Sequence, residues 1–333
     1  MAERPVVLVT QLEYEKARAV FEAASDVRCL PAPAPECELA QAVRASGAVA
    51  VVIGVEPYPG DLLYEALPPG GIIARFGVGH DGVDKTKATA RGVLVTNTPG
   101  VLSLSVAEHA IWLMGALARH IAPNHAAIRE GTWQPVLGCE LRGRTLAVIG
   151  CGSIGRRVAS IACRGLGMLV VGLDTASFST EELFRQGIDR LARTWEDAVG
   201  NADVVSLHLT STPETRRFVD AGRIAAMKDG ALLVNTARGA IVDEAALYDA
   251  LAAGKLAGAA LDVFATEPYV PAAPGKDLRT LPNVLMTAHM GSSTAQACTR
   301  MAERCLANIR AALARRYDQM DLLNPTVLQG PRS

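Results

Sequence analysis

The sequence has 333 residues, which at about 150 residues per domain suggests two domains. Its 33 Lys and Arg nearly cancel its 34 Asp and Glu, half of its residues are hydrophobic, and only 20% are charged. This composition is typical of globular proteins with sizeable cores. The balanced charge argues against nucleic-acid and membrane-surface partners, which select a strong basic field. No apolar run approaches the roughly 18 residues of a membrane span.

The cysteines and the N-terminus point to the cytoplasm. Seven cysteines form no C-x-x-C pair, so the sequence predicts neither a disulfide framework nor a zinc site. The first residues lack the basic and apolar regions of a secretion signal. The patterns of serine hydrolases, HExxH metalloproteases and Walker A nucleotide sites are also missing. We therefore expect a cytoplasmic protein without a bound metal.

Short β-branched runs alternate with amphipathic segments in the first hundred residues. The runs of strand length are 6–9, 49–53, 72–76 and 93–95. Such alternation predicts buried parallel strands that are connected by helices. A long helical pattern follows over 103–119.

A second series of strands begins at residue 145 and continues to residue 286. Its predicted strands are 145–149, 168–173, 204–209, 231–234, 259–263 and 284–286, and a last helix is predicted over about 294–315. The two series predict an α/β protein with two doubly wound parallel-sheet units.

The pattern G-x-G-x-x-G occurs twice, and one copy has the surroundings of a dinucleotide site. Such a site needs a strand before it, a helix that opens at its end, and an acid closing the next strand. The copy at Gly150, Gly152 and Gly155 meets each condition, because strand 168–173 ends at Asp174. The copy at 77–82 precedes a strand that ends without an acid, which favours a tight strand–helix turn.

Asp174 also indicates which dinucleotide is bound. A carboxylate at this position accepts hydrogen bonds from ribose hydroxyls and repels the 2′-phosphate of NADP. Residues 175–177 offer no cation for such a phosphate. The sequence therefore favours NAD.

Three candidates for acid–base chemistry follow three strands of the second series. Arg238 follows strand 231–234, Glu267 follows 259–263, and His289 follows 284–286. Because open α/β sheets bind ligands beyond the carboxyl ends of their strands, the three side chains can share one crevice. Arginine binds a carboxylate with its planar fork, and histidine exchanges protons near neutral pH. A glutamate bonded to the histidine orients it and favours its charged form.

Together these residues resemble the D-isomer-specific 2-hydroxyacid dehydrogenase family, and the similarity covers nearly the whole chain. The motifs that carry it are GVGHDGVD at 77–84, NTPG at 97–100, VAEH at 106–109, the Gly150 loop with Asp174, TARG at 236–239, LDVF at 261–264 with Glu267 and Pro268, and HMG at 289–291. The resemblance implies that a Rossmann NAD-binding domain, 103–292, is inserted into a flavodoxin-like substrate domain of residues 1–102 and 293–333.

The resemblance also implies an activity and roles for individual residues. The activity is hydride transfer between nicotinamide and C2 of a small D-2-hydroxy or 2-keto acid, with Arg238, Glu267 and His289 as the catalytic residues. Backbone amides of Val78 and Gly79 would bind the substrate carboxylate. The implied cofactor residues are Gly150, Gly152, Ser153, Ile154, Gly155, Asp174, Thr210, Thr215, Thr236, Ala237 and Asp262. The family forms homodimers through a helical arm, here about 111–133.

Some features depart from parts of this family and keep alternatives open. Phosphoglycerate-type members carry an arginine after the third strand, where this sequence has an acid at Glu56, so a phosphorylated substrate is disfavoured. One alternative is a non-catalytic NAD sensor like the C-terminal-binding-protein corepressors, whose extra tails are missing here. Another is a specialised branch such as phosphite or formate oxidation. Formate enzymes usually replace the glutamate that is Glu267 here.

Overall fold

The computed structural model of the protein describes residues 4–329. The chain folds into two compact units. The unit that is internal in the sequence, Ser103–Gly291, is called the inner unit. The unit formed by the flanking segments, up to Leu102 and from Ser292 onward, is called the outer unit. The second boundary lies one residue earlier than the sequence placed it. Within residues 4–329, no helix combines the length and the apolar character needed to cross a bilayer.

The N-terminal part of the outer unit alternates strands and short helices. Its strands are β1 (Val6–Thr10), β2 (Arg28–Ala32), β3 (Ala50–Ile53), β4 (Ile72–Arg75) and β5 (Leu94–Thr96). Its helices are α1 (Gln11–Lys16), α2 (Arg18–Glu22), α3 (Glu36–Ser46), α4 (Leu62–Ala66) and α5 (Lys85–Ala90).

The inner unit contains seven strands and seven α-helices among the described residues. Its strands are β6 (Thr145–Ile149), β7 (Leu169–Leu173), β8 (Arg190–Leu191), β9 (Val204–Leu207), β10 (Ala231–Asn235), β11 (Leu256–Leu261) and β12 (Val284–Met286). Its helices are α6 (Ser103–Ala118), α7 (Ile121–Arg129), α8 (Ser153–Leu166), α9 (Thr180–Arg185), α10 (Trp195–Val199), α11 (Ala221–Ala226) and α12 (Glu244–Ala252).

The outer sheet is parallel and has the strand order β2-β1-β3-β4-β5. This is the flavodoxin-like order of doubly wound proteins. The C-terminal helix α13 (Ala295–Leu313) packs against β4 and β5 of this sheet. Its buried Asn308 donates a hydrogen bond to the backbone oxygen of Asn97 at 3.1 Å. The last α-helix among the described residues therefore packs on the sheet that the first strands form.

The inner sheet is also parallel, with the order β12-β11-β10-β9-β6-β7-β8. Strand order reverses next to β6, which is the arrangement of a Rossmann fold and places its ligand crevice at the carboxyl ends of the strands. Strands β6, β9 and β10 are almost fully buried, as expected for a sheet covered by helices on both faces. The predicted fold class is confirmed.

Several elements differ from the sequence predictions. Strands β2 and β8 were not predicted, since β2 contains a proline and β8 has only two residues. Strand β9 ends at Leu207, two residues earlier than predicted. Strand β11 is shifted towards the N-terminus, because its small residues LAGAAL carry little strand propensity and pairing with β10 fixes their register.

Candidate active site

Three neighbouring strands of the inner sheet carry the predicted catalytic residues. Strands β10, β11 and β12 are adjacent and parallel, so their carboxyl ends lie at one edge of the sheet. Arg238 follows β10, Glu267 follows β11 and His289 follows β12. The structure therefore brings the arginine, the glutamate and the histidine to the same edge.

His289 and Glu267 form a hydrogen-bonded pair. The imidazole Nδ1 lies 2.7 Å from the Glu267 Oε2, and the two side chains are 25% and 28% exposed. The other carboxylate oxygen of Glu267 accepts the Phe264 N–H at 2.9 Å, which fixes the loop around the glutamate. With Nδ1 held by a carboxylate, Nε2 is the ring nitrogen available to exchange a proton with another molecule.

His289 is held in a backbone conformation that few histidines adopt. Its φ is +49°, in the left-handed region that costs a non-glycine residue about 1 kcal/mol or more. Its N–H donates to the backbone oxygen of Asp262 at 2.8 Å. Strain of this kind persists only where the surroundings fix the residue, and it is common at functional sites.

Asp262 fixes the segment on both sides of the histidine. The residue is 1% exposed, and its Oδ1 accepts the Thr287 hydroxyl at 2.5 Å and the Met290 N–H at 2.9 Å. Its Oδ2 accepts the Gly291 N–H at 2.8 Å, and the His109 Nε2 lies 3.3 Å from Oδ1. Burial alone would raise the pKa of Asp262. The hydrogen bonds that the carboxylate accepts, first those from His109 and Thr287, outweigh burial and hold the pKa below its usual value. The sequence did not reveal this anchoring role.

A buried asparagine shapes the turn that presents Arg238. Asn235 is the last residue of β10 and is 1% exposed. Its amide nitrogen donates to the Arg238 backbone oxygen at 3.0 Å, and its amide oxygen accepts the Ala237 N–H at 3.0 Å. Gly239 follows, and a Cβ there would lie 1.8 Å from the carbonyl carbon of Phe264. The Arg238 turn therefore packs directly on the loop that leads to Glu267.

The Gly150 loop has the geometry of a dinucleotide site. Gly150 has φ +93°, and a Cβ at Gly155 would lie 2.0 Å from the Gly150 backbone oxygen, so both positions require glycine. A Cβ at Gly152 would meet nothing within 4 Å, so this exposed backbone is open to a phosphate. The 14-residue helix α8 begins at the next residue, Ser153, and its N-terminus favours negative charge. These residues fit NAD.

Asp174 lies directly beside this loop. Its Oδ2 accepts the Cys151 N–H at 2.6 Å, and its Oδ1 accepts the Ala176 N–H at 2.8 Å. Each carboxylate oxygen has further acceptor capacity. The structure therefore places the acid next to the glycine turn, as the sequence predicted.

The other predicted cofactor residues of the inner unit also follow strands of its sheet. Thr210 and Thr215 belong to the loop after β9, where the Thr215 hydroxyl donates to the Thr210 backbone oxygen at 2.7 Å. Thr236 and Ala237 follow β10, and the Thr236 hydroxyl is buried without a hydrogen-bond partner among the described residues. Ile154, in helix α8, is partly buried against the core that α6, α8 and strands of the inner sheet form.

Val78 and Gly79 belong to the outer unit, in the loop after β4. The Val78 backbone oxygen accepts the Asn97 side-chain amide at 2.8 Å, and the Thr98 N–H donates to the Gly77 backbone oxygen at 3.0 Å. These bonds tie the loop to the segment after β5. Over residues 4–329, no group of three His, Cys, Asp or Glu side chains could hold a metal ion.

The chain is similar in sequence to a known protein family. Residues 111–291, more than half of the chain, match the family model described as D-isomer specific 2-hydroxyacid dehydrogenase, NAD binding domain. The inner unit therefore contains the NAD-binding domain of that family, which confirms the predicted cofactor.

Individual relatives agree with the family model. A D-3-phosphoglycerate dehydrogenase of Archaeoglobus fulgidus is 44% identical over 68% of this chain but only 42% of its own length, so this chain spans less than half of that relative. A hydroxypyruvate reductase of Thermotoga maritima is 42% identical over 69% of this chain and 73% of its own.

A solved structure extends the likeness to both units. The glyoxylate reductase of Paecilomyes thermophila superimposes with a TM-score of 0.80 at 31% identity, and the match covers 95% of this chain and 97% of that one. The family model covers more than half of the chain, and relatives that are more than 40% identical match over two thirds of it. The chain belongs to the D-isomer-specific 2-hydroxyacid dehydrogenase family.

Proposed function

We propose that the protein is an NAD-dependent oxidoreductase that interconverts small D-2-hydroxy acids and 2-keto acids. The observation that carries this proposal is the His289–Glu267 pair, which lies at the same sheet edge as Arg238. That sheet also carries the Gly150 loop of the NAD-binding domain. The relatives named as hydroxypyruvate and glyoxylate reductases support the reaction class.

Each catalytic residue has a distinct part in this reaction. The Arg238 guanidinium binds the substrate carboxylate and polarises the neighbouring carbonyl, and the outer unit adds the backbone amides of Val78 and Gly79. His289 gives a proton to the carbonyl oxygen during reduction and takes it back during oxidation. Glu267 orients the imidazole and stabilises its charged form. Bound NAD supplies or accepts the hydride at C4 of its nicotinamide ring.

The cofactor assignment extends to the surroundings of the glycine loop. We assign to NAD the residues Gly150, Gly152, Ser153, Ile154, Gly155, Asp174, Thr210, Thr215, Thr236, Ala237 and Asp262. The loop and the helix N-terminus bind the pyrophosphate, and Asp174 binds the ribose hydroxyls. The outer unit is the substrate domain.

An unphosphorylated substrate fits the outer unit best. Glu56, in the segment after β3, has a carboxylate oxygen that is buried without a hydrogen-bond partner among the described residues. Glu56 stands where phosphoglycerate-type members of the family carry an arginine, and a carboxylate cannot bind a phosphate as a guanidinium does.

A keto-acid panel tests the activity. Oxidation of NADH and NADPH is followed with glyoxylate, pyruvate, hydroxypyruvate and phosphohydroxypyruvate. We expect turnover of small unphosphorylated keto acids with NADH, and weak or no turnover with NADPH. NADH binding without turnover of any keto acid would instead identify a sensor.

Substitutions of the proposed residues test the mechanism. His289→Asn removes the proton-transfer group and is expected to lower kcat roughly 10²–10⁴-fold. Arg238→Lys replaces a fork with a point charge and is expected to lower kcat/KM strongly. Arg185→Lys, at an exposed position of helix α9, is the matched control and is expected to retain wild-type rates. Near-normal turnover by either active-site variant contradicts the assignment.

We also propose that the protein is a homodimer of the cytoplasm. Several large apolar side chains are exposed on helices α6 and α7 and on the segment after them, and they are Trp112, Ile128, Trp133 and Leu137. Exposed apolar area of this kind favours self-association. All seven cysteines are free, which suits a reducing compartment. Light scattering of wild type and Leu137→Asp tests the dimer, which the aspartate is expected to weaken.

A further inference from the structure

A second glutamate, Glu244, contacts the loop that leads to Glu267 and belongs to none of the motifs above. Glu244 is the first residue of helix α12 and is only 5% exposed. Its Oε1 accepts the Ala265 N–H at 2.6 Å. Its Oε2 is buried and has no hydrogen-bond partner within residues 4–329. A carboxyl group buried to this extent needs a structural or functional reason.

Glu244 is connected to the histidine by a short series of contacts. The Ala265 N–H that it accepts lies in the loop between β11 and Glu267. In the same loop, the Phe264 N–H donates to one oxygen of Glu267, and the other oxygen binds the His289 imidazole. Moving Ala265 would therefore move both oxygens that set the orientation of the imidazole.

The surroundings of Glu244 raise its pKa above the ordinary value for a glutamate. The titratable groups near it are Glu267, Tyr269 and the neighbouring Asp243, and the last of these is paired with Arg217. Burial raises the pKa of Glu244, and the charges of Glu267 and Asp243 add to this, although the Ala265 N–H opposes it. An ionised carboxylate would leave one oxygen buried, unpaired and close to other acids, which is costly.

We propose that Glu244 is a positioning residue for the His289–Glu267 pair, and this inference rests on the proposed function. Its carboxyl group holds the Glu267 loop through the Ala265 N–H, and the carboxylate that contacts the imidazole is that of Glu267. The requirement is for a hydrogen-bond acceptor of the right length and not for a negative charge.

Two substitutions of similar size separate the acceptor from the charge. Glu244→Gln keeps a carbonyl oxygen for the Ala265 N–H and cannot ionise. Glu244→Met fills similar space and offers no comparable acceptor. Glu181, an exposed acid in the first turn of α9, is the control position for the same two substitutions. Circular dichroism verifies that each variant is folded.

The first readout is the pH dependence of keto-acid reduction. Glu244→Gln is expected to stay within about threefold of the wild-type kcat, because the acceptor remains. Glu244→Met is expected to lower kcat roughly 10- to 100-fold with a smaller change in KM, because the imidazole is misplaced. A displaced Glu267 stabilises imidazolium less. As pH is raised, the reduction rate of the Met variant is therefore expected to decline at a lower pH than the rate of wild type.

The second readout requires neither substrate nor cofactor. A proton shared between Nδ1 and Oε2 gives a far-downfield proton NMR resonance, which Glu267→Gln assigns by removing it. We expect this resonance in wild type and Glu244→Gln, and we expect its loss in Glu244→Met. It reports the pair even if the panel finds no keto-acid substrate, in which case the proposed function fails and the positioning role is still tested.

Two results would overturn the inference. If Glu244→Gln is as impaired as Glu244→Met, the negative charge is required and the acceptor is insufficient. If Glu244→Met keeps the resonance and the wild-type pH profile, the carboxyl group does not position the pair.

Discussion

Asp262 and Glu13 are both buried, yet their pKa values shift in opposite directions because their neighbours differ. Asp262 is surrounded by donors, and its pKa is held below the usual value despite burial. Glu13 is 3% exposed, and burial raises its pKa, although the Thr10 hydroxyl donates to it and opposes the shift. The charge of Glu56 raises the pKa of Glu13 further. Burial alone therefore does not determine which form of an acid the fold prefers.

The raised pKa of Glu13 makes stability depend on pH in a defined direction. A folded-state pKa above the ordinary value of 4.5 favours the protonated form, so this contribution is present at low pH and is lost as pH rises through the folded pKa. Glu13→Gln keeps the shape and cannot ionise. We expect it to raise the thermal unfolding midpoint at about pH 8 and to change it little at about pH 4.

A matched variant in the same helix serves as the control for Glu13. Glu15→Gln alters an exposed acid and is expected to shift the unfolding midpoint similarly at both pH values. If Glu13→Gln destabilises the protein at high pH, the carboxylate is needed there and the argument fails.

Asp174 is expected to set the preference for NADH over NADPH. Asp174→Ala removes the charge that repels a 2′-phosphate and the acceptor for ribose hydroxyls. We expect the ratio of kcat/KM for NADH to that for NADPH to fall by about tenfold or more. Glu181→Ala is the control, since it removes an acid elsewhere on the inner unit. An unchanged ratio in Asp174→Ala would mean that other residues select the cofactor.

Among the elements, β5 is an edge strand of the outer sheet, and the C-terminal segment forms hydrogen bonds with its free edge. Asn324 is 4% exposed, and its amide oxygen accepts the Val95 N–H at 2.9 Å. Its amide nitrogen donates to the Val93 backbone oxygen at 2.9 Å and to the Thr89 hydroxyl at 3.0 Å. An edge strand offers unpaired backbone groups, and here one side chain satisfies two of them.

Asn324→Asp tests how much this closure stabilises β5. The aspartate loses both donated bonds and places a charge beside the Val93 oxygen, at a cost of about 1–3 kcal/mol or more. Faster hydrogen exchange is expected in peptides covering β4 and β5, while exchange in β6 and β7 is unchanged. Asn201→Asp, at an exposed position, is the control. Equal acceleration in both units would point to global destabilisation.

How well an element was predicted depended on its composition. Strands β6 and β12 were predicted with their observed bounds, because β-branched and apolar residues fill them. Strand β2 was missed because its Arg28 and Pro31 obscure the pattern, and pairing with β1 is what makes it a strand. A local sequence pattern does not show which strands are formed only through pairing with distant segments.

In the candidate site, too, the residues that belong to sequence motifs were predicted, and the residues that act through buried contacts were not. Sequence position alone indicated Arg238, Glu267 and His289, since each follows a strand. It did not indicate Glu244 or Asn235, whose roles depend on buried contacts with backbone groups that folding brings together. A polar residue at the first position of a helix is ordinary in a sequence, and only its burial makes it informative.

For the whole molecule, two α/β units were predicted because the sequence contains two series of strands, and the second series contains the glycine loop that fits a dinucleotide. The return of the chain to its first unit followed from the resemblance and not from periodicity. The structure agrees on strand order in both sheets, which periodicity cannot provide because order depends on pairing between strands far apart in sequence.

The packing of α13 on β4 and β5 affects how the protein is made. Translation proceeds at about 5–20 residues per second, so roughly 10–40 s separate the emergence of β5 from that of α13. During this interval the nascent outer sheet lacks a helix that its core requires, while the whole inner unit is being synthesised. The earliest part of the polypeptide is thus the last to find its packing partner, and its apolar strands are where ribosome-associated chaperones would act.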